Sequence, residues 1–140
     1  MAGPPYEDDP TIPDDSALWR RVHPSWIVED HNTGGIRVSS AAFDDSRDGS
    51  PLSVLLADVV AQTHRTPQQV MAPFEGYALA SVTAGAVRAC RQGIARTPMP
   101  GEPAHASVFG PQTGATKREM PKAATWVIPP QRLRPPGPQP

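Results

Sequence analysis

The chain contains the residue types of a hydrolytic triad, and their arrangement decides whether they can act together. Ser39 or Ser40, with His105 and Asp58, would supply a nucleophile, a base and an orienting carboxylate. The spacing of these residues lends the triad no support, and the sequence has no G-x-S-x-G segment, which presents the nucleophile in many hydrolases. The sequence therefore does not favour hydrolysis.

Metal ligands are sparse and scattered. The four histidines, at positions 23, 31, 64 and 105, form no closely spaced ligand pair, and Cys90 is the only cysteine. A single cysteine can form neither an intramolecular disulfide nor a multi-cysteine zinc site. We predict no metal site.

The segment "SVFGPQTGATK", residues 107–117, resembles a phosphate-binding loop in outline. Free backbone N–H groups at a helix start favour an anion, and Lys117 would add a positive charge. The spacing G-x-x-x-G-x-x-K differs from that of the P-loop, G-x-x-x-x-G-K-[ST]. An ordinary strand–turn–helix junction explains the segment as well, so Lys117 is kept only as a candidate ligand-binding residue.

His105 begins the apolar segment "HASVFG", which is typical of a buried strand. Two roles are open to it. It is either a half-exposed histidine at a strand end that hydrogen-bonds a loop, or a binding or general-base histidine at the edge of a sheet.

Short alternating segments separated by short helical ones predict a mixed α+β domain, with one sheet and short helices packed against one face of it. Strands are expected around "SALWRRVHP", "WIVED", "GIRVSSAAF", "GYALASV" and "AHASVFG". The segment "LSVLLADVVAQTHR" fits either a strand from Ser53 to Ala57, which is favoured, or a helix with one apolar face. Thr66, Pro67 and Gln69 are typical of a helix start with a capping box, and Thr83 is typical of a second N-cap.

The two ends of the chain differ in composition from its middle. Residues 1–15 hold five acidic residues and four prolines, and residues 129–140 hold six prolines and two arginines. We expect both segments to be mobile tails around a single domain at residues 16–128. The chain has a net charge of −1, so the body alone carries two net positive charges. That charge is too small and too dispersed to favour nucleic-acid binding.

The stretch "GGIRVSSAAFDDS", residues 34–46, offers Arg37, Ser39 and Ser40 as candidate ligand contacts. If the strand continues to Phe43, its alternation places Ser39 and Ser40 on opposite faces. Ser39 would then share the face of Arg37, and the two serines could not serve one pocket together.

Three segments taken together, "LWRRV", "GGIRVSSAAF" and "LSVLLAD", resemble the opening of RES-type domains, small bacterial proteins with an ADP-ribosyltransferase-like fold that act on NAD. The resemblance covers about residues 18–58. It implies that Arg20 or Arg21 and Ser39 or Ser40 line a nicotinamide pocket. Such folds often complete the site with a glutamate on a third strand, which this sequence does not offer. "SSAAF" and "PAHA" also resemble segments of small bacterial proteins from which no activity can be carried over.

Two functional hypotheses follow. The first is a non-catalytic binding or accessory domain with no cofactor, which acts through a partner protein or a small ligand; the proline-rich end could dock to a partner as polyproline II. The second is an NAD-using, ADP-ribosyltransferase-like enzyme with Arg21, Ser40 and His105 in its site. Because no apolar segment is long enough to cross a membrane, we expect a soluble cytoplasmic protein.

Overall fold

The computed structural model of the chain describes residues 6–29, 36–43, 51–110 and 114–130, without the side chains of residues 29, 36, 37, 40, 41 and 114–118. Eight strands, β1 to β8, are Ala17–Val22, Ile27–Glu29, Ile36–Val38, Leu52–Leu56, Ala78–Thr83, Gly93–Arg96, His105–Phe109 and Thr125–Ile128. Four helices, α1 to α4, are Ala57–Gln62, Pro67–Met71, Ala84–Ala89 and Gly114–Ala123.

Six strands form one antiparallel sheet in the order β6-β7-β4-β1-β5-β8. The other two strands, β2 and β3, pair as a separate two-stranded sheet. This architecture confirms the predicted α+β class. Within the described ranges, no helix has the length and apolar character needed to span a bilayer.

One face of the six-stranded sheet carries the main core. The register aligns Leu18 with Leu56 and Val82, and Val108 with Leu52 and Ile94, so their side chains share this face. All six are at most 3% exposed. Buried residues of α3, α4 and a 3-10 turn at Ser40–Phe43 belong to the same apolar cluster.

The opposite face carries a smaller core under α1 and α2. Leu55 packs there with Val60 of α1 and Val70 of α2, and Trp19 borders the cluster. The expectation that helices cover only one face is therefore wrong. The capping signals of α2 are confirmed, because Thr66 Oγ1 accepts from Gln69 N at 3.2 Å and Gln69 Oε1 accepts from Thr66 N at 2.8 Å.

The acidic N-terminal segment packs on the domain from Asp8 onward, so its prediction as a mobile tail through residue 15 is wrong. Ile12 is 1% exposed within the main core. Asp9 N donates to Ile94 O at 2.8 Å and Ile94 N donates to Asp8 Oδ1 at 3.0 Å, so the segment covers the outer edge of β6. Arg88 binds the carboxylates of Asp8 and Asp14. Apolar burial and ion pairs together offset the cost of ordering it.

The packed body also extends slightly past its predicted end at residue 128. Pro129 is half-buried and Pro130 is buried. The remainder of the proline-rich segment, from residue 131, lies outside the described residues.

The predicted strand over "GIRVSSAAF" ends earlier than expected, at Val38. Ser39 N donates to Trp26 O at 2.7 Å, and Ser40–Phe43 then form the 3-10 turn, with Ala42 N donating to Ser39 O at 3.2 Å. Ala42 and Phe43 are both buried, which consecutive strand residues on opposite faces would not achieve at one core. The prediction that Ser39 and Ser40 lie on opposite faces of one strand is therefore wrong.

Candidate functional site

A cleft opens where two central strands of the sheet separate. β1 and β4 pair only through Leu18 with Leu56 and Trp19 with Leu55. Beyond that point β1 stays paired with β5 and β4 stays paired with β7. The gap leads into a cavity of about 200 Å³. Its lining consists of Trp19, Arg20, Arg21, Trp26, Ser53, Val54, Leu55, Phe74, Tyr77 and His105.

The Arg20 side chain makes hydrogen bonds in the gap where β1 and β4 no longer pair. Its Nε donates to Ala42 O at 2.9 Å, and its Nη1 donates to Ser53 O, a carbonyl at the separated end of β4, at 2.9 Å. The guanidinium also lies 5.4 Å from the centre of the Trp26 ring. Burial lowers the pKa of Arg20 from its usual value. With these acceptors engaged, Arg20 is chiefly a support of the cleft wall.

The Arg21 side chain lies on the other face of the sheet and makes fewer hydrogen bonds than Arg20. Its Nη2 donates to Val70 O at 3.4 Å, and its buried Nε has no hydrogen-bond partner within the described part of the chain. The guanidinium carbon lies 4.1 Å from the centre of the Phe74 ring. Burial lowers the pKa of Arg21, and the charge of Glu102 partly opposes that effect. A half-buried guanidinium with spare donors is suited to bind an anion.

The nearby carboxylate of Glu102 is engaged by a different arginine. Arg65 donates to it from Nη1 at 2.8 Å and from Nη2 at 2.7 Å, and Ala104 N donates to it at 3.2 Å. The Arg65 bonds lower the pKa of Glu102. Among the residues that the structure describes, none that lines the cavity is an aspartate or glutamate. The described lining of the cleft therefore has a positive balance of charge.

His105 begins β7 and lines the same cavity. Its Nδ1 lies 2.9 Å from Thr97 O and 2.8 Å from Thr97 Oγ1. Leu55 pairs with both His105 and Trp19, so the three residues form one row across β7, β4 and β1. The expectation of a half-buried histidine at a strand end, bonded to a neighbouring loop residue, agrees with this geometry.

Aromatic rings form much of the rest of the wall. The Phe74 and Tyr77 rings meet edge-to-face at 5.6 Å, and Tyr77 also meets His23 edge-to-face at 5.1 Å. Trp19 and Trp26 complete the aromatic lining. Planar apolar walls beside a guanidinium suit a ligand that combines a ring with a negative charge.

Three of the residues nominated from the sequence line the cleft together: Arg20, Arg21 and His105. Ser39 is half-buried and is not among the lining residues. The candidate side chains at Arg37, Ser40 and Lys117 lie outside the described part of the structure.

The sequence reasoning missed the aromatic lining and Ser53. Trp26, Phe74 and Tyr77 come from the turns after β1 and α2, where the segments "HPSW" and "APFEGY" combine turn residues with aromatic ones. The sequence feature that could have identified this lining is the presence of aromatic residues in two turns, together with the arginines of β1. Its use depends on knowing that both turns lie at the same end of β1.

Comparison of the chain with protein-family models, curated proteins and solved structures finds no match.

Proposed function

We propose that the domain is a non-catalytic binding module and that the cleft between β1 and β4 holds a small anionic ligand with a planar ring. The observation that carries the proposal is Arg21, whose guanidinium stacks on Phe74 and makes one hydrogen bond within the described residues, beside a cavity whose described lining holds no carboxylate. A bound anion would supply the acceptors that Arg21 lacks. We also keep the cytoplasm as the proposed location, on the sequence grounds given above.

The volume of the cavity limits the size of the ligand. At about 200 Å³ it lies below the roughly 300–1,000 Å³ of typical drug-sized sites. A ring with one anionic group therefore fits better than a whole dinucleotide. A dinucleotide could place only one of its halves inside.

Binding to nucleotides tests the proposal directly. We expect adenosine monophosphate to change the tryptophan fluorescence, since two of the three tryptophans, Trp19 and Trp26, line the cavity. Arg21→Met should weaken binding about ten- to hundred-fold, because a charged hydrogen bond contributes about 1.5–3 kcal/mol. Lys122→Met is the matched control, since it removes an exposed positive charge on α4.

The proposal fails if adenosine monophosphate, nicotinamide mononucleotide and inorganic phosphate all leave both fluorescence and melting temperature unchanged at about 10 mM. It also fails if Arg21→Met and Lys122→Met weaken binding equally. That result would indicate only nonspecific attraction between a charged surface and an anion.

The NAD-using enzyme is a second candidate, favoured by the fact that Arg21 and His105 line one cleft. It predicts release of nicotinamide from NAD by the purified protein and loss of that activity in Arg21→Met. The described lining holds no glutamate of the kind that often completes the site in RES-type domains. Binding of NAD without any release of nicotinamide would leave the binding module as the better account.

A partner protein remains part of the proposed role. A binding module acts when its ligand changes how it binds another protein. The proline-rich end of the chain is suited to bind an aromatic groove on such a partner.

A further inference from the structure

We infer that His105 determines ligand specificity by accepting a hydrogen bond through Nε2 from a hydroxyl group of the ligand. The inference rests on the proposed binding function and narrows the ligand from an anion with a planar ring to one that also carries free hydroxyls, such as a nucleoside monophosphate. Its basis is the orientation of one imidazole ring.

The contacts of Nδ1 settle where the ring carries its hydrogen. Thr97 O lies 2.9 Å from Nδ1, and a carbonyl oxygen can only accept. Nδ1 must therefore be the donor, and the hydroxyl of Thr97 at 2.8 Å lies beside the same N–H. In the neutral ring, a hydrogen on Nδ1 leaves Nε2 as a bare acceptor.

The surrounding contacts hold this ring in place. Thr97 N donates to His105 O at 3.1 Å while the His105 ring donates back to Thr97 O, so the two residues are bridged twice. Thr97 Oγ1 also lies 2.9 Å from the hydroxyl of Ser107, which is 5% exposed. A ring fixed on one edge presents its other edge in a defined direction, as a recognition group requires.

Nε2 has no hydrogen-bond partner among the described residues, and His105 lines the cavity. Nε2 is not among the buried side-chain atoms without a partner, so it is open to solvent and to a ligand. Here one nitrogen is fixed to the protein and the other remains for a ligand.

The positions of Arg21 and His105 set the chemistry of that ligand. His105 lies two strands from β1, which is about 10 Å across a sheet. An anion at Arg21 and a hydrogen-bond donor at His105 are therefore separate groups of one molecule. Inorganic phosphate is too small to reach both, whereas a nucleoside monophosphate carries an anion and hydroxyl donors on separate parts of one molecule.

The wild-type protein alone supplies the first test. Adenosine monophosphate should bind about ten-fold more tightly than its 2′,3′-dideoxy analogue, because only the former has the hydroxyl donors. Equal affinity for the two compounds would overturn the role of His105 while leaving the proposed binding function intact. Failure of every phosphate-containing probe to bind would instead overturn the proposed function, and this inference with it.

Two substitutions then assign the effect to Nε2. His105→Gln can place an amide oxygen near the position of Nε2, whereas the shorter His105→Asn can reach Thr97 O but not the ligand. We expect His105→Asn to abolish discrimination between the two nucleotides and His105→Gln to keep most of it. If both variants still bind adenosine monophosphate more tightly than its dideoxy analogue, the assignment of the effect to Nε2 is overturned. Melting temperatures identify a misfolded variant, and the wild-type comparison tests the inference independently of both.

Discussion

Arg20 and Arg21 are neighbours in β1, but the alternation of a strand sends them to opposite faces of the sheet. Arg20 donates hydrogen bonds to two backbone carbonyls, that of Ser53 at the separated end of β4 and that of Ala42 in the 3-10 turn. Arg21 lines the cavity and makes one hydrogen bond among the described residues, to Val70 O. The segment "LWRRV" predicted both as site residues but could not rank them. Their ranking depends on the carbonyls of Ala42 and Ser53, which other parts of the chain bring to β1.

Replacing Arg20 tests its role as a support. Arg20→Met keeps a long apolar stem but leaves the carbonyls of Ala42 and Ser53 without their donors. We expect the free energy of unfolding to fall by about 1–3 kcal/mol, chiefly because the partly buried carbonyl of Ala42 loses its donor, whereas water can reach the carbonyl of Ser53. Urea denaturation followed by circular dichroism measures the change.

Arg21→Met is the paired control for that experiment. Because it removes a buried, unsatisfied Nε, it should change the free energy of unfolding by less than about 1 kcal/mol. Equal destabilisation by the two substitutions would contradict the division of roles between the arginines.

At the scale of elements, local signals predicted helix starts well. Thr66 and Thr83 both cap helices, and Gln69 closes the capping box. These features depend on residues within three positions of each other, so the sequence contains all that is needed.

Elements that depend on distant partners were predicted less well. β6, Gly93–Arg96, was missed because its short, small-residue sequence becomes a strand only through pairing with β7 and cover from the N-terminal segment. Gly93 has a specific reason to be glycine, since a Cβ there would lie 2.6 Å from Cζ of Phe109. α4 contains Pro121 and nevertheless continues to Ala123. Met120, 1% exposed, anchors that last turn in the core.

The N-terminal segment gives a prediction at this scale. Ile12→Ala should lower the free energy of unfolding by about 2–4 kcal/mol, because it leaves a cavity at a position 1% exposed. Deleting residues 1–14 should lower the melting temperature by several degrees, where a mobile tail would have no effect. Asp15→Ala, at an exposed position in the same segment, is the control and should change little. An unchanged melting temperature after the deletion would mean that the segment does not dock in solution.

At the scale of the whole molecule, acidic residues neutralise several surface arginines and leave the cleft positive. Arg88 binds Asp8 and Asp14, Arg96 lies 3.2 Å from Asp9, and Arg65 holds Glu102. Arg21 is not in a salt bridge among the residues described. The net charge of residues 16–128 is small, so composition alone does not predict the local positive charge at the cleft.

The sequence predicted the candidate site only in part, for a topological reason. Arg21 and His105 were nominated from their residue types, and both line the cavity. Their meeting depends on the order of β7, β4 and β1 in the sheet and on the separation of β1 from β4 after two paired residues. Register and strand order arise from long-range packing, which local periodicity does not encode.

The same ion pairs predict the response of the molecule to acid. Hydrogen bonds from Thr11 lower the pKa of Asp9, and those from Arg65 lower the pKa of Glu102, so both carboxylates bind protons less readily in the folded state than in the unfolded chain. The stability that these two carboxylates contribute is fully present above their pKa values in the unfolded chain. It is lost as the pH falls through their lower pKa values in the folded state. The melting temperature should therefore be nearly constant near neutrality and decline below about pH 5.

Glu102→Gln should lower the melting temperature at neutral pH and make its decline in acid shallower. Glu119→Gln, in an exposed pair with Lys122, should leave the profile unchanged. Parallel profiles for wild type and Glu102→Gln would show that the Arg65–Glu102 pair does not stabilise the fold.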